Sequence, residues 1–227
     1  MSPYKNKLFL FSVIVSLILF FCFSRFERKY VFIDAGAHFG EQLKAFKTTK
    51  LYKSFPWKIY AIEADRNFIN KIPKGRDIVV INKAVWIYDG TLDFYLAVPG
   101  ETTSSVYKKE GFNKKKVTVE CFDFGRWLKD NFSKKDYIIL SVDMAGSEYK
   151  VLEKMISDGS IEYVDRLYVE FSQEFVPEVY AGERDPEDVS YEREYSIIRK
   201  VRELNIIFDG DSVEDVINER GTWKDEL

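Results

Sequence analysis

The sequence predicts an α/β fold: a mainly parallel sheet flanked by helices, carrying an inserted β-hairpin. Three observations predict it. Short β-rich runs alternate with helical patterns from Tyr30 onward, as parallel strands joined by crossover helices require. A glycine-bearing turn, Asp34 to Gly40, stands where the first strand gives way to the first helix. An acidic residue, Glu63, closes the second strand.

The 227 residues suffice for one domain with a single sizeable core. Hydrophobic residues at 46% and aromatics at 16% argue for a folded body. A formal net charge of -3 gives no electrostatic footprint for phosphate backbones, so no nucleic-acid partner is expected. The lysine-dense patch, Lys108-Lys109 and Lys114 to Lys116, reads as a solvated turn between strands. Cys22 lies in the N-terminal apolar run and Cys121 in the body, which leaves the redox compartment open.

Tyr30 to Ile33 is the first strand, and Gly40 to Lys47 a helix with Leu43 and Phe46 inward. Lys58 to Ile62 is the second strand, followed by a short helix that stops before Pro73. Asp77 to Ile81 is the third. Val85 to Ala97, with Tyr88-Asp89-Gly90-Thr91 at its centre, predicts a β-hairpin. Gly100 to Glu110 is a polar loop and Val117 to Glu120 a short strand. Asp123 is placed to cap a helix carrying Trp127 and Leu128. Tyr137 to Val142 is the fourth main strand, and Ser147 opens a helix with Tyr149, Leu152, Met155 and Ile156 on one face. Arg166 to Phe171 is the fifth strand. Residues 172 to 189 form a long acidic loop with the length of a lid. A helix over Tyr191 to Leu204 and a strand over Ile206 to Phe208 complete the sheet.

The two ends predict where the protein resides. Leu8 to Phe23 is uncharged and apolar between flanking basic residues. Residues 1–29 are therefore expected to be a signal peptide, cleaved after Ser24, or a signal anchor with a short linker. Residues 30–210 form the folded domain. Residues 211–227 are a tail ending in Lys224-Asp225-Glu226-Leu227, a signal that the retrieval receptor of the endoplasmic reticulum reads from the lumen. The expected location is that lumen, or its membrane through residues 8–23 in a type II topology. Asn131-Phe132-Ser133 is an N-glycosylation triplet that suits a lumenal domain.

The chemistry gathers at the strand ends. The stretch Asp34-Ala35-Gly36-Ala37-His38-Phe39-Gly40 lets backbone approach a ligand and is expected to leave helix N-terminal amides free to donate. His38 stands where a dinucleotide-binding turn needs its second glycine. The turn instead resembles the methyltransferase turn that cradles S-adenosylmethionine. Glu63 is placed to accept ribose hydroxyls, and Asp65 to cap the next helix. One histidine and no cysteine cluster exclude a zinc site, and no metal is expected.

The order of motifs resembles the FkbM methyltransferase family over about residues 30 to 172. It runs through Asp34 to Gly40, Ile62-Glu63-Ala64-Asp65, Asn82-Lys83-Ala84-Val85 and Thr103-Ser104-Ser105-Val106. It continues through Phe122-Asp123-Phe124, Asp143 to Glu148 and Tyr168-Val169-Glu170-Phe171. The resemblance implies a Rossmann-like class I methyltransferase fold, S-adenosylmethionine as donor and O-methylation of a hydroxylated acceptor, often a sugar. It also implies cofactor contacts from Asp34, Gly36, Ala37, His38, Gly40, Glu63 and Ala64, with Asn82, Ala84, Ser104 and Ser105 nearby.

Where such families carry Lys-x-Asp-x-Glu-Gly-x-Glu, this chain has Ser141 for the lysine and Ala145 for the first glutamate, keeping Asp143, Gly146 and Glu148. Asp143 is either the catalytic base or a helix cap; Glu148 is its catalytic companion or serves the helix dipole. Tyr107 or Tyr180 is available to stack on a sugar ring. The expected activity is O-methylation of a glycan or glycoconjugate hydroxyl. A non-catalytic cofactor-binding protein and a lipid or small-metabolite methyltransferase are the alternatives.

Overall fold

The computed structural model describes residues 28–97, 103–108, 113–175 and 186–210. The apolar segment 8–23, Tyr180 and the tail 211–227 lie outside the described residues.

Six strands form the main sheet: β1 (Tyr30–Ala35), β2 (Trp57–Ile62), β3 (Ile78–Ile81), β7 (Tyr137–Val142), β8 (Arg166–Val169) and β9 (Ile207–Gly210). Their order is β3-β2-β1-β7-β8-β9, and every neighbouring pair is parallel. A parallel sheet is covered on both faces, so its central strands are apolar throughout instead of alternating. All six residues of β7 are buried, as are all but the first of β1.

Helices cover the two faces. On one side α1 (Glu41–Thr48) and α2 (Lys50–Ser54) bury Leu43, Phe46 and Leu51 against Phe32, Ile59 and Ile139. Phe46 stacks on Phe32 with ring centroids 4.3 Å apart, and Trp57 Nε1 donates to the Leu51 carbonyl at 3.0 Å. On the other side lie α4 (Phe124–Asn131), α5 (Glu148–Asp158) and α6 (Pro186–Glu203), which bury Leu128, Leu152, Met155 and Val201 against Val31, Ile33 and Leu140. Each fully buried side chain of this size contributes roughly 1.5–3 kcal/mol. The short α3 (Arg66–Ile69) follows β2, capped by Asp65, whose side chain accepts from Asn67 N. Asp123 caps α4 in the same way through Arg126 N.

The expected hairpin over Val85–Ala97 is corrected. β4 (Ala84–Trp86) and β5 (Gly90–Ala97) do not pair with each other, because β6 (Asn113–Asp123) lies between them. β6 runs antiparallel to β5 and parallel to β4. Its eleven residues offer β5 a longer ladder than three-residue β4 can. The lysine patch hid this: Lys114 to Lys116 belong to β6, and Lys116 pairs with Asp93 of β5 at 3.1 Å. Cys121 of β6 is a buried free thiol.

Two other boundaries move. The helix after the acidic loop starts at Pro186, not Tyr191, using proline where an N-terminal amide needs no partner. Gln173–Phe175 form a 3-10 turn within the expected lid, whose residues 176–185 lie outside the described residues. Asn131 is the exposed last residue of α4, its Nδ2 donating to the Trp127 carbonyl at 2.8 Å. Among the described residues no helix is long and apolar enough to cross a membrane.

Candidate active site

The strand order reverses between β1 and β7: successive strands build outward from this pair in opposite directions. Ligands of open parallel sheets bind outside the carboxyl ends of the strands at such a point. Here a cleft of about 280 Å³ opens, walled by the ends of β1, β2, β7 and β8 and by the segment around Ser104.

Gly36 joins the two central strands. Its φ is +87°, and a Cβ built on it would lie 1.7 Å from the Asp143 carbonyl oxygen. Any other residue would wedge the β1 and β7 turns apart. The amides between β1 and α1 are taken up inside the protein. Gly36 N and Ala37 N donate to the Ile62 carbonyl, His38 N to Glu63 Oε2, Phe39 N to Glu41 Oε2 and Gly40 N to the Ala37 carbonyl. The end of β2 and two carboxylates absorb the donors that the motif alone leaves open.

Of the residues singled out in the sequence, Gly36, His38, Glu63, Ala64, Ala84, Ser104 and Asp143 line the cleft. Glu63 is buried to 7% exposure. Its Oε2 accepts from His38 N at 2.8 Å and its Oε1 from Asp65 N at 2.7 Å. Each carboxylate oxygen keeps a further lone pair for a ligand hydroxyl. Burial raises its pKa to about 7 against those two bonds. His38 adopts a left-handed φ of 46° and packs edge-on against Phe68, its Nε2 buried without a partner. Burial lowers its pKa, so the imidazole is neutral near pH 7. Ser104 Oγ donates to Asp65 Oδ2 and accepts from Ala97 N, both at 2.8 Å.

Six others support the cleft without lining it. Asp34 is fully enclosed beneath it, opposite Ser141 in the β1–β7 register, with Oδ2 unpartnered. Burial, with Glu41 and Glu63 nearby, raises its pKa to about 7. Ala37 is core, and Gly40 turns with φ +75° against Pro73. Asn82 Nδ2 donates to the carbonyls of Glu63 and Ala64, fixing the end of β2. Ser105 pairs in antiparallel fashion with Tyr95, and its Oγ donates to the Ala145 carbonyl at 2.6 Å.

Glu148 is the clearest correction. Its carboxylate is 0% exposed and accepts from Gly146 N at 2.8 Å and Ser172 N at 2.6 Å. It ties the turn after β7 to the segment after β8 and is a positioning residue. The Ala145-Gly146 turn that it holds has φ of 49° and 98°. Tyr107 packs over Gly146 and does not line the cleft.

Asp143 is placed for chemistry. It lines the cleft, mostly buried, and no described residue donates a hydrogen bond to its carboxylate. Burial, then the charges of Glu170, Glu148, Asp34 and Glu63, raise its pKa to about 8. The alternative role of Asp143 as a helix cap does not hold: the residue preceding α5 is Ser147, and no side chain caps that helix. Sequence reasoning missed Phe68, Phe94 and Ser172 on the cleft wall. Phe68 alone left a signal, as the first apolar residue after the Asp65 cap. Among the described residues no cluster of three potential metal ligands is present.

The Methyltransferase FkbM domain matches residues 34–204. No curated protein and no solved structure matches the chain. The matched span contains the cleft, both glycine turns, the end of β1 and the whole of β2, β3, β7 and β8, and the chain belongs to the FkbM methyltransferase family.

Proposed function

We propose that the protein is an S-adenosylmethionine-dependent O-methyltransferase acting on a hydroxyl of a glycan or glycoconjugate in the secretory pathway. The observation that carries the reading is Asp143: a cleft-facing carboxylate with no hydrogen-bond partner among the described residues, beside the Gly36 turn, with a pKa of about 8. A base is most effective when its pKa lies near the working pH.

The donor fits the residues present. Gly36 admits close approach, Glu63 keeps acceptor capacity for two ribose hydroxyls, and His38 Nε2 offers a further polar contact. Bound there, the donor supplies an electrophilic methyl on a good leaving group. The protein's part is to align the acceptor hydroxyl and take its proton at the Asp143 carboxylate, with Glu170 on the same wall. Glu148 and Ser105 hold the turn that carries this wall.

The secretory placement rests on the apolar run 8–23 and on Lys224 to Leu227. It is tested by protease protection in intact microsomes: a protected domain supports it, and digestion refutes it. The activity is tested by transfer of a labelled methyl group from S-adenosylmethionine to glycan and lipid acceptor panels. Transfer to glycans supports the reading, and transfer confined to lipids changes the acceptor class. Donor binding without transfer to any acceptor favours a cofactor-binding protein.

A further inference from the structure

Residues 103–106 border the cleft as a short extended strap, and two adjacent serines in it hold different walls. Ser105 exchanges both backbone bonds with Tyr95 of β5, at 2.8 and 3.0 Å. Neighbouring side chains on extended backbone point to opposite sides, and here both directions are used. Ser104 Oγ donates to Asp65 Oδ2 at 2.8 Å, and Asp65 N donates in turn to Glu63 Oε1 at 2.7 Å. Ser105 Oγ donates to the Ala145 carbonyl at 2.6 Å, in the turn that follows Asp143. Each hydroxyl is itself fixed by a backbone amide, Ala97 N for Ser104 and Tyr107 N for Ser105. Ala145 has a left-handed φ of 49°, which a residue with a side chain keeps only when its surroundings hold it there. Ser105 is fully buried, so water does not take over its bond if the hydroxyl is lost.

We propose that Ser104 and Ser105 are positioning residues for the two halves of the transfer: Ser104 for the donor, through Asp65 and Glu63, and Ser105 for the base, through the turn that carries Asp143. This rests on the function proposed above. Neither hydroxyl touches the reacting atoms in this assignment. Ser104 sets where the turn after β2 presents the Glu63 carboxylate, and Ser105 sets where the turn after β7 presents the Asp143 carboxylate. Both bonds spring from one strap paired to β5, so a single piece of backbone fixes the separation of donor and base.

The test sets two measurements on the full chain against each other: S-adenosylmethionine affinity by calorimetry, and turnover of labelled methyl onto the glycan and lipid panels at saturating donor. Ser104→Ala is expected to weaken donor binding roughly tenfold, the worth of one hydrogen bond, with turnover nearly unchanged. Ser104→Thr keeps the hydroxyl and is expected to restore the affinity. Ser105→Ala is expected to bind donor like the wild type and to lower turnover by roughly 10–100-fold, as a misplaced reacting group does. Ser105→Cys, close in shape with a weaker donor, is expected to show the same loss in smaller measure, and it decides the matter if Ser105→Ala does not fold. Equal losses of binding and turnover at both positions, or a Ser104→Thr no better than Ser104→Ala, make the serines general struts and overturn the assignment. A wild type that binds donor but transfers to no acceptor overturns the Ser105 half together with the activity, while donor affinity still decides the Ser104 half. No donor binding by the wild type overturns the donor reading and this assignment with it.

Discussion

Two turns meet at the cleft, one after β1 and one after β7, and they are built alike. Each leaves a buried strand through left-handed residues: Gly36 and His38 in the first, Ala145 and Gly146 in the second. Each is clamped by a glutamate that accepts two backbone amides. Glu63 holds His38 N and Asp65 N, and Glu148 holds Gly146 N and Ser172 N. The difference is exposure. Glu63 opens onto the cleft, while Glu148 is sealed behind it. The same chemistry thus yields a ligand-facing acid in one turn and a structural strut in the other. Packing decides which.

The two turns are most sensitive at the contact between them. Gly36→Ala sets a Cβ against the Asp143 carbonyl at a positive φ, so neither turn keeps its shape. The expected outcome is loss of donor binding with a large fall in melting temperature, read by calorimetry and thermal denaturation. Next is Glu148→Ala, which strands one buried and one half-buried amide, at about 1–3 kcal/mol each. At roughly 2–4 °C per kcal/mol, melting should fall by about 10 °C. Glu63→Ala should lower melting less, because water reaches its side of the cleft, yet weaken donor binding more. Equal binding losses in the two variants would show that the exposure difference does not matter.

Asp143→Asn is expected to leave melting at pH 5 almost unchanged and donor binding measurable. Methyl transfer should fall by roughly 10²–10⁴-fold. Normal turnover would move the base elsewhere, with Glu170 the other acid on that wall.

The smallest effect is in pH dependence. Asp34, Glu63 and Glu148 are raised to about 7 and Asp143 to about 8. A raised acid holds its proton in the folded state after the unfolded chain has lost it. Its contribution is therefore present below pH 4 and lost as pH climbs to 8. Asp77 and Asp158, lowered by lysine and hydrogen-bond partners, act oppositely below pH 4. Melting temperature is expected to be higher at pH 5 than at pH 8, and Asp34→Asn to flatten that slope. A melting temperature that rises from pH 5 to 8 would contradict the buried acid cluster.

Strand positions were legible because buried parallel strands leave long apolar runs: Tyr137 to Val142 coincides with β7, and Lys58 to Ile62 falls within β2. The caps were legible for a similar reason, since Asp65 and Asp123 are short acceptors just ahead of helices. The pairing of β4, β5 and β6 was not. A Tyr-Asp-Gly-Thr turn looks the same whether its flanks pair together or with a third strand, and the lysines of β6 look like a loop. The site was legible to the level of which strand ends carry it. Which acids reach the cleft depends on where backbone amides point, as with Glu63 and Glu148, and amides leave no mark in a sequence.

On the proposed function, the cleft between the β1 and β7 turns is a methyl-donor site. The most direct measurement is isothermal titration of the full chain with S-adenosylmethionine and, separately, with NAD. Saturable binding of S-adenosylmethionine, weakened in Glu63→Gln, with no heat from NAD, is the predicted result. Tight NAD binding without an S-adenosylmethionine signal would contradict the claim.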